Sequence, residues 1–384
     1  MLPTLPPEIL DFIVSHLRGE KAVLRKCCLV SKSWIPRTRR FLFASICFDS
    51  GAESVQSWMK AFPDPSNSPA HHVYNLWIWE DGAIAAASAE ARPWIRSFDR
   101  VQHLNVGTPG WGDTRTVSLV QLHGLSPTLR ALHLSYSFIP PSEVLSMVCS
   151  FPLLEDLSLH PELTGGSIDG WDVPMTSPKL TGCLSLRDEI RGIARGLLDL
   201  PDGLHFTKIM TWCPAANAEL IMELVSRCSH TLESLYVDFC LSGGFFLSFL
   251  LPIKISPPFM NLGASNTPPP LDLSGVTRLK SVEFRFGYPR VQWIATSLQT
   301  ARPETLREIT IFSYATFNVI EQAEHIEWQE LDHLLVRLWT TYSILPKIRY
   351  ERKGEGSDLA AFASRLLPGL TKEGISCEVG PFWQ

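Results

Sequence analysis

Between residues 101 and 313 the chain returns to one short pattern: a leucine, two unconstrained positions, an apolar residue, one more unconstrained position and a second apolar residue. It is clearest at Leu129/Leu132/Leu134, Leu154/Leu157/Leu159, Leu232/Leu235/Val237, Leu279/Val282/Phe284 and Leu306/Ile309/Ile311. Weaker copies stand at Val101/Leu104/Val106, at Leu180 to Leu186 with one extra residue, and at Phe206/Ile209/Thr211. The last two apolar positions are two residues apart, the period of a β-strand with one buried face. The middle position falls at 104, 132, 157, 184, 209, 235, 282 and 309, in steps of 28, 25, 27, 25, 26, 47 and 27. A period in the mid-twenties is the mark of a stacked array, in which each unit buries its apolar face against the next.

The stretches between these strands carry the helical period instead, at Pro141 to Cys149 and at Ala216 to Cys228. Ser126-Pro127, Phe151-Pro152, Ser177-Pro178 and Arg302-Pro303 precede strands, where proline shapes the entering turn without removing a ladder donor. The doubled step contains residues 253–270, too proline-rich for regular structure, and predicts a loop between two neighbouring coils. Such a loop is either a tolerated insertion or a substrate-facing or regulatory loop. An opening strand is expected within His71 to Trp79, an amphipathic helix over Ile326 to Trp339, a last strand at Ile348 and Tyr350, and a closing helix from Asp358 to Leu367. These would cap the two ends of the array.

The first fifty residues follow a different rule. Ile9, Leu10, Ile13, Val14 and Leu17 form a helical stripe after Pro6, Pro7 and Glu8, residues suited to a helix start, and Gly19 ends it. Ala22 to Val30 predicts a second helix, and Ser31 or Ser33 can cap a third that reaches towards Arg40. Leu42, Phe43, Ile46 and Phe48 add apolar side chains. A block of this size is marginal alone and gains from docking on a second surface.

The net charge of −5 opposes affinity built on phosphate neutralisation, so no nucleic-acid partner is expected. Arg25, Lys26, Lys32, Arg37, Arg39 and Arg40 cluster, but they interleave with apolar positions and lack stacking aromatics other than Trp34; they read as a solvated rim or a partner contact. No run approaches the roughly 18 apolar residues of a membrane span, and Met1 to Pro7 has neither the basic nor the apolar part of a secretory leader, so no membrane association is expected. Nine cysteines without CxxC spacing read as small core residues of a reducing compartment, in the cytoplasm or nucleus. No catalytic or nucleotide-binding motif is present, and the pairs His71/His72 and His325/His333 lack the Cys or carboxylate pattern of a metal site. The chain is expected to be no enzyme and to need no cofactor or metal.

The run from Leu5 to Leu17, then Leu24 to Trp34, then Arg40 to Ile46, with its LPxEIL opening, V-S-K-x-W centre and L-F-x-x-I close, resembles an F-box. With the repeats behind it, the chain resembles F-box proteins with a degenerate leucine-rich-repeat-like domain, a type abundant in fungi. That resemblance implies an α/β protein: a three-helix F-box over residues 1–48, a linker and cap over 49–100, a curved solenoid of about eight repeats with parallel strands over 101–350, and a cap and tail over 351–384. It further implies that the F-box binds a Skp-type adaptor, and through it a cullin-RING ubiquitin ligase, while the repeats capture a protein substrate. Leu5, Pro6, Ile9, Leu10 and Ile13 fall on the first adaptor-contacting segment, and Leu24, Val30, Trp34 and Leu42 on later apolar positions of the motif. One departure from the motif is that Leu29 and Val30 stand where many members have Val-Cys. Among strand aromatics, Tyr136, Tyr236 and Phe286 are the candidate target contacts, as rigid anchors at the rim or concave face. The competing expectation is an interaction scaffold whose F-box-like block is only a structural cap.

Overall fold

The structure, a computed structural model, describes residues 6–49, 54–79, 88–107, 122–123, 125–135, 139–160, 175–187, 191–212, 217–239, 269–286, 291–313, 325–351, 367–375 and 378–380. The chain divides into two compact units, Met1–Lys179 and Leu180–Gln384.

The first unit opens with α1 (Pro7–His16), α2 (Lys21–Val30), a 3-10 turn (Lys32–Trp34) and α3 (Ile35–Leu42). Proline occupies the first turn of α1 and Glu8 stands beside its positive end, as the sequence leads one to expect. Ser31, in extended conformation, accepts the backbone N–H of Ser33 and starts the 3-10 turn. Then come β1 (Ser45–Phe48), α4 (Val55–Ala61), β2 (Asn75–Trp79), α5 (Arg92–Arg96), β3 (His103–Gly107), β4 (Ala131–Ser135), α6 (Pro141–Cys149) and β5 (Asp156–His160). The five strands pair in chain order and all are parallel.

The second unit contains β6 (Cys183–Arg187), α7 (Arg191–Leu198), β7 (Lys208–Trp212), α8 (Ala218–Arg227), β8 (Ser234–Phe239), β9 (Ser281–Phe286), α9 (Val291–Thr300), β10 (Glu308–Ser313), α10 (His325–Tyr342), β11 (Leu345–Glu351), α11 (Pro368–Lys372) and β12 (Glu378–Gly380). Its seven strands are again parallel and in chain order. Parallel neighbours need a crossover between them, and helices supply it at each step of this unit except β8 to β9, where the described residues hold none.

The marker residues of the repeat are register partners. Leu104, Leu132 and Leu157 align in the first unit, and Leu184, Ile209, Leu235, Val282 and Ile309 in the second. They and the apolar residues two positions on are buried, so alternation along each strand and stacking between strands build one leucine-lined core in each unit. The entering turn is also repeated: one carbonyl accepts two successive N–H groups of the next coil, as Gln102 does from Arg130 and Ala131, and Thr207 from Glu233 and Ser234.

Leu235 pairs with Val282 across the doubled step, so the insertion separates two neighbouring strands. Residues 253–268 of that insertion lie outside the described residues, as do residues 358–366 of the expected closing helix. The first strand of the sheet goes beyond the sequence expectation: Ser45–Phe48, counted with the helical block, pairs with Asn75–Ile78. Its Phe48 is buried edge-on against Trp58 and Phe98, each with ring centroids 5.8 Å away. At the other end, β12 follows the expected last strand β11. Asp332, buried on α10, accepts the N–H groups of Gly369 (2.7 Å) and Leu370 (3.0 Å) and so fixes the start of α11.

Candidate functional site

The helical block exposes side chains of the kind that most other described segments bury. Ile9 and Phe12, one turn apart on α1, are 46% and 63% exposed; on α2, Val23 is 38%, Leu29 86% and Val30 67% exposed. Five of the eight large hydrophobic side chains exposed among the described residues therefore lie within two short helices. Single exposed hydrophobes are ordinary, but a concentration of them marks a docking surface.

The residues singled out by the motif differ in exposure. Pro6, Ile9 and Val30 are exposed, whereas Leu10 and Leu24 are buried in the block's own core. Ile13, Trp34 and Leu42 are half-buried, and Leu5 lies outside the described residues. The motif does not single out Phe12 and Leu29. Each stands two residues beyond a buried position, Leu10 and Cys27, a step that carries a helical side chain to the far side.

The block is held together without using those exposed groups. Thr38 on α3 is fully buried; its hydroxyl donates to the Trp34 carbonyl oxygen at 2.8 Å and lies 2.9 Å from Cys28 Sγ of α2. Arg37 of α3 pairs with Asp11 of α1 at 2.7 Å. The neighbouring Arg25, Lys26, Lys32, Arg39 and Arg40 are exposed, so a basic rim accompanies the apolar strips.

Among the candidate target contacts, Tyr136 and the side chain of Phe286 lie outside what the structure describes. Tyr236 stands on the sheet face opposite the leucines but is only 7% exposed. Trp212 packs on its ring at 4.8 Å, and the Arg285 guanidinium lies 4.9 Å above the ring and 4.8 Å from that of Phe312. Burial, reinforced by the Asp238 charge, pushes the Tyr236 hydroxyl far above its usual pKa, and the hydroxyl points to Asp238 Oδ2 at 3.4 Å. Tyr236 is thus the middle of a stack, with Trp212 and Phe312 the half-exposed parts.

Burial pushes the thiols of Cys149 and Cys228 up to about 11, which keeps these two protonated at neutral pH. No group of three metal-ligating side chains occurs among the described residues, and none of the helices described is long and apolar enough to cross a membrane. No protein-family model matches the chain, and no curated protein matches it.

Proposed function

We propose that the chain is a substrate-recognition subunit of a ubiquitin ligase of the Skp–cullin–F-box type. Its N-terminal helices hold a Skp-type adaptor and its leucine-lined repeats hold a protein target; it performs no chemistry itself. The observation that carries this reading is the exposure of Ile9, Phe12, Leu29 and Val30 within the segment whose order of residues resembles an F-box. Apolar strips with basic neighbours suit a partner that offers an apolar groove and acidic flanks.

A second reading has its own support. β1 continues the block directly into the sheet, and Phe43 and Phe48 pack on Trp58, so the block also serves as the cap that closes the first coil. As a pure scaffold it would leave the apolar strips unused.

Co-expression with a Skp-type adaptor and size-exclusion chromatography separates the two. The ligase reading expects a stoichiometric complex for the wild-type chain, lost on replacing Ile9 and Phe12 together by Ser. A folded wild-type chain that elutes apart from the adaptor at micromolar concentration leaves the scaffold reading in its place.

A further inference from the structure

In the first unit, the sheet face opposite the leucines has an unusual chemistry. Across β2 to β5 it carries no lysine, arginine or glutamate, and its one aspartate, Asp156, stands at the start of β5. One register row reads Trp77, Asn105, His133, Ser158, and the next begins with Trp79 and ends with His160. All six are half-buried, so each offers part of its surface. The corresponding face of the second unit holds Lys208, Glu283, Arg285, Glu308 and Lys347.

Three details make this face more than a neutral patch. Gly107 lies between Trp79 and Ser135 in register, and a Cβ there would come within 2.9 Å of the Trp79 ring and 2.5 Å of Ser135 Oγ; the glycine lets the indole lean across β3. Ser158 Oγ stands 2.7 Å from His133 Nδ1 and 3.4 Å from His160 Nε2, a chain of groups that both donate and accept. Burial lowers the His133 pKa, which keeps that ring uncharged at neutral pH. Asn105 Oδ1, between Trp77 and His133, is buried and has no hydrogen-bond partner among the described residues. A buried acceptor left unpaired is costly and is satisfied by a ligand that brings a donor.

We infer that this face binds a neutral oligosaccharide. The pyranose C–H surfaces lie on Trp77 and Trp79, the half-buried Asn105 side chain turns outward so that one hydroxyl donates to its Oδ1, and others engage His133, Ser158 and His160. Indole rings supply rigid apolar area with a polar edge, and neutral hydrogen-bonding side chains match hydroxyls that carry no charge. From β2 to β5 the row spans roughly 14 Å at the usual strand spacing, room for a di- or trisaccharide. The inference is independent of the adaptor reading.

The test is an array of neutral and acidic oligosaccharides probed with the full-length chain, followed by calorimetry on the neutral glycan retained best. Trp79→Ala and Asn105→Ala should each weaken that binding at least tenfold while the melting temperature of the Asn105 variant stays close to wild type. Should Trp79→Ala unfold the unit, Asn105→Ala, which removes the orphan acceptor with little volume, carries the result. The Ile9→Ser/Phe12→Ser chain should bind the glycan as wild type does, so the two readings fail separately. Retention of no neutral glycan, preference for acidic ones, or unchanged affinity in a folded Asn105→Ala chain overturns the inference.

Discussion

The N-terminal helices and the repeats treat the same kind of residue in opposite ways. In the repeats, an apolar side chain on a marker position meets its register partner on the next strand: Leu132 has Leu104 on one side and Leu157 on the other, and all three are about 1% exposed. On α1 and α2 the stripe that packs inward is narrow, Leu10 with Val14 and Leu24 with Cys27, and a second apolar set faces away from it. A stacked array satisfies its own hydrophobes because every coil has a neighbour. A short helical block has too little interior for all of its own, and what remains outside defines a surface for something else.

Substitutions should respect that division. The largest effect is expected for Leu157→Ala, which opens a cavity beneath β5; about 2–5 kcal/mol of stability should be lost, read as a fall in the thermal midpoint and in the denaturant midpoint. Asp332→Ala removes the acceptor of two backbone N–H groups at the start of α11 and should cost about 1–2 kcal/mol. Limited proteolysis should then cut near residues 367–375 earlier than in wild type.

A smaller, pH-dependent effect belongs to the histidines. Burial lowers the pKa of His133, and likewise of His72 and His123, below the ordinary value of 6.5. The unfolded chain therefore takes up protons first as the solution is acidified. Their contribution to stability is present above about pH 6.5 and is lost as pH falls through the depressed folded values. Melting curves between pH 8 and 5 should show the midpoint dropping on the acid side, with a shallower slope for His133→Asn; a slope unchanged by that substitution would remove His133 from the explanation.

What the sequence makes legible follows the same line. The alternation around Leu104, Leu132, Leu157, Leu235 and Ile309 specifies strands and their order, because a two-residue period and a fixed step each have one structural solution. The short β1 escapes notice: four residues with apolar Ile46 and Phe48 cannot be told from the tail of a helical block until β2 is seen beside them. The surroundings of Tyr236 are equally hidden, since Trp212 and Arg285 come from different strands and meet it only through register. Exposure is read least well. The motif points to Leu10 and Leu24 as contacts, whereas their burial in the helical core leaves Phe12 and Leu29 as the more available side chains.

The smallest stability change is expected where the functional change is greatest. Ile9→Ser with Phe12→Ser alters side chains already in water and should shift stability by no more than about 0.5 kcal/mol. The most direct test of the central claim is the dissociation constant of the full-length chain for a purified Skp-type adaptor, with and without these two substitutions, alongside each melting curve. Two lost anchors of about 2 kcal/mol each correspond to roughly a thousandfold weaker binding at unchanged stability. Equal affinity of both folded chains, or no affinity in either, would contradict the account.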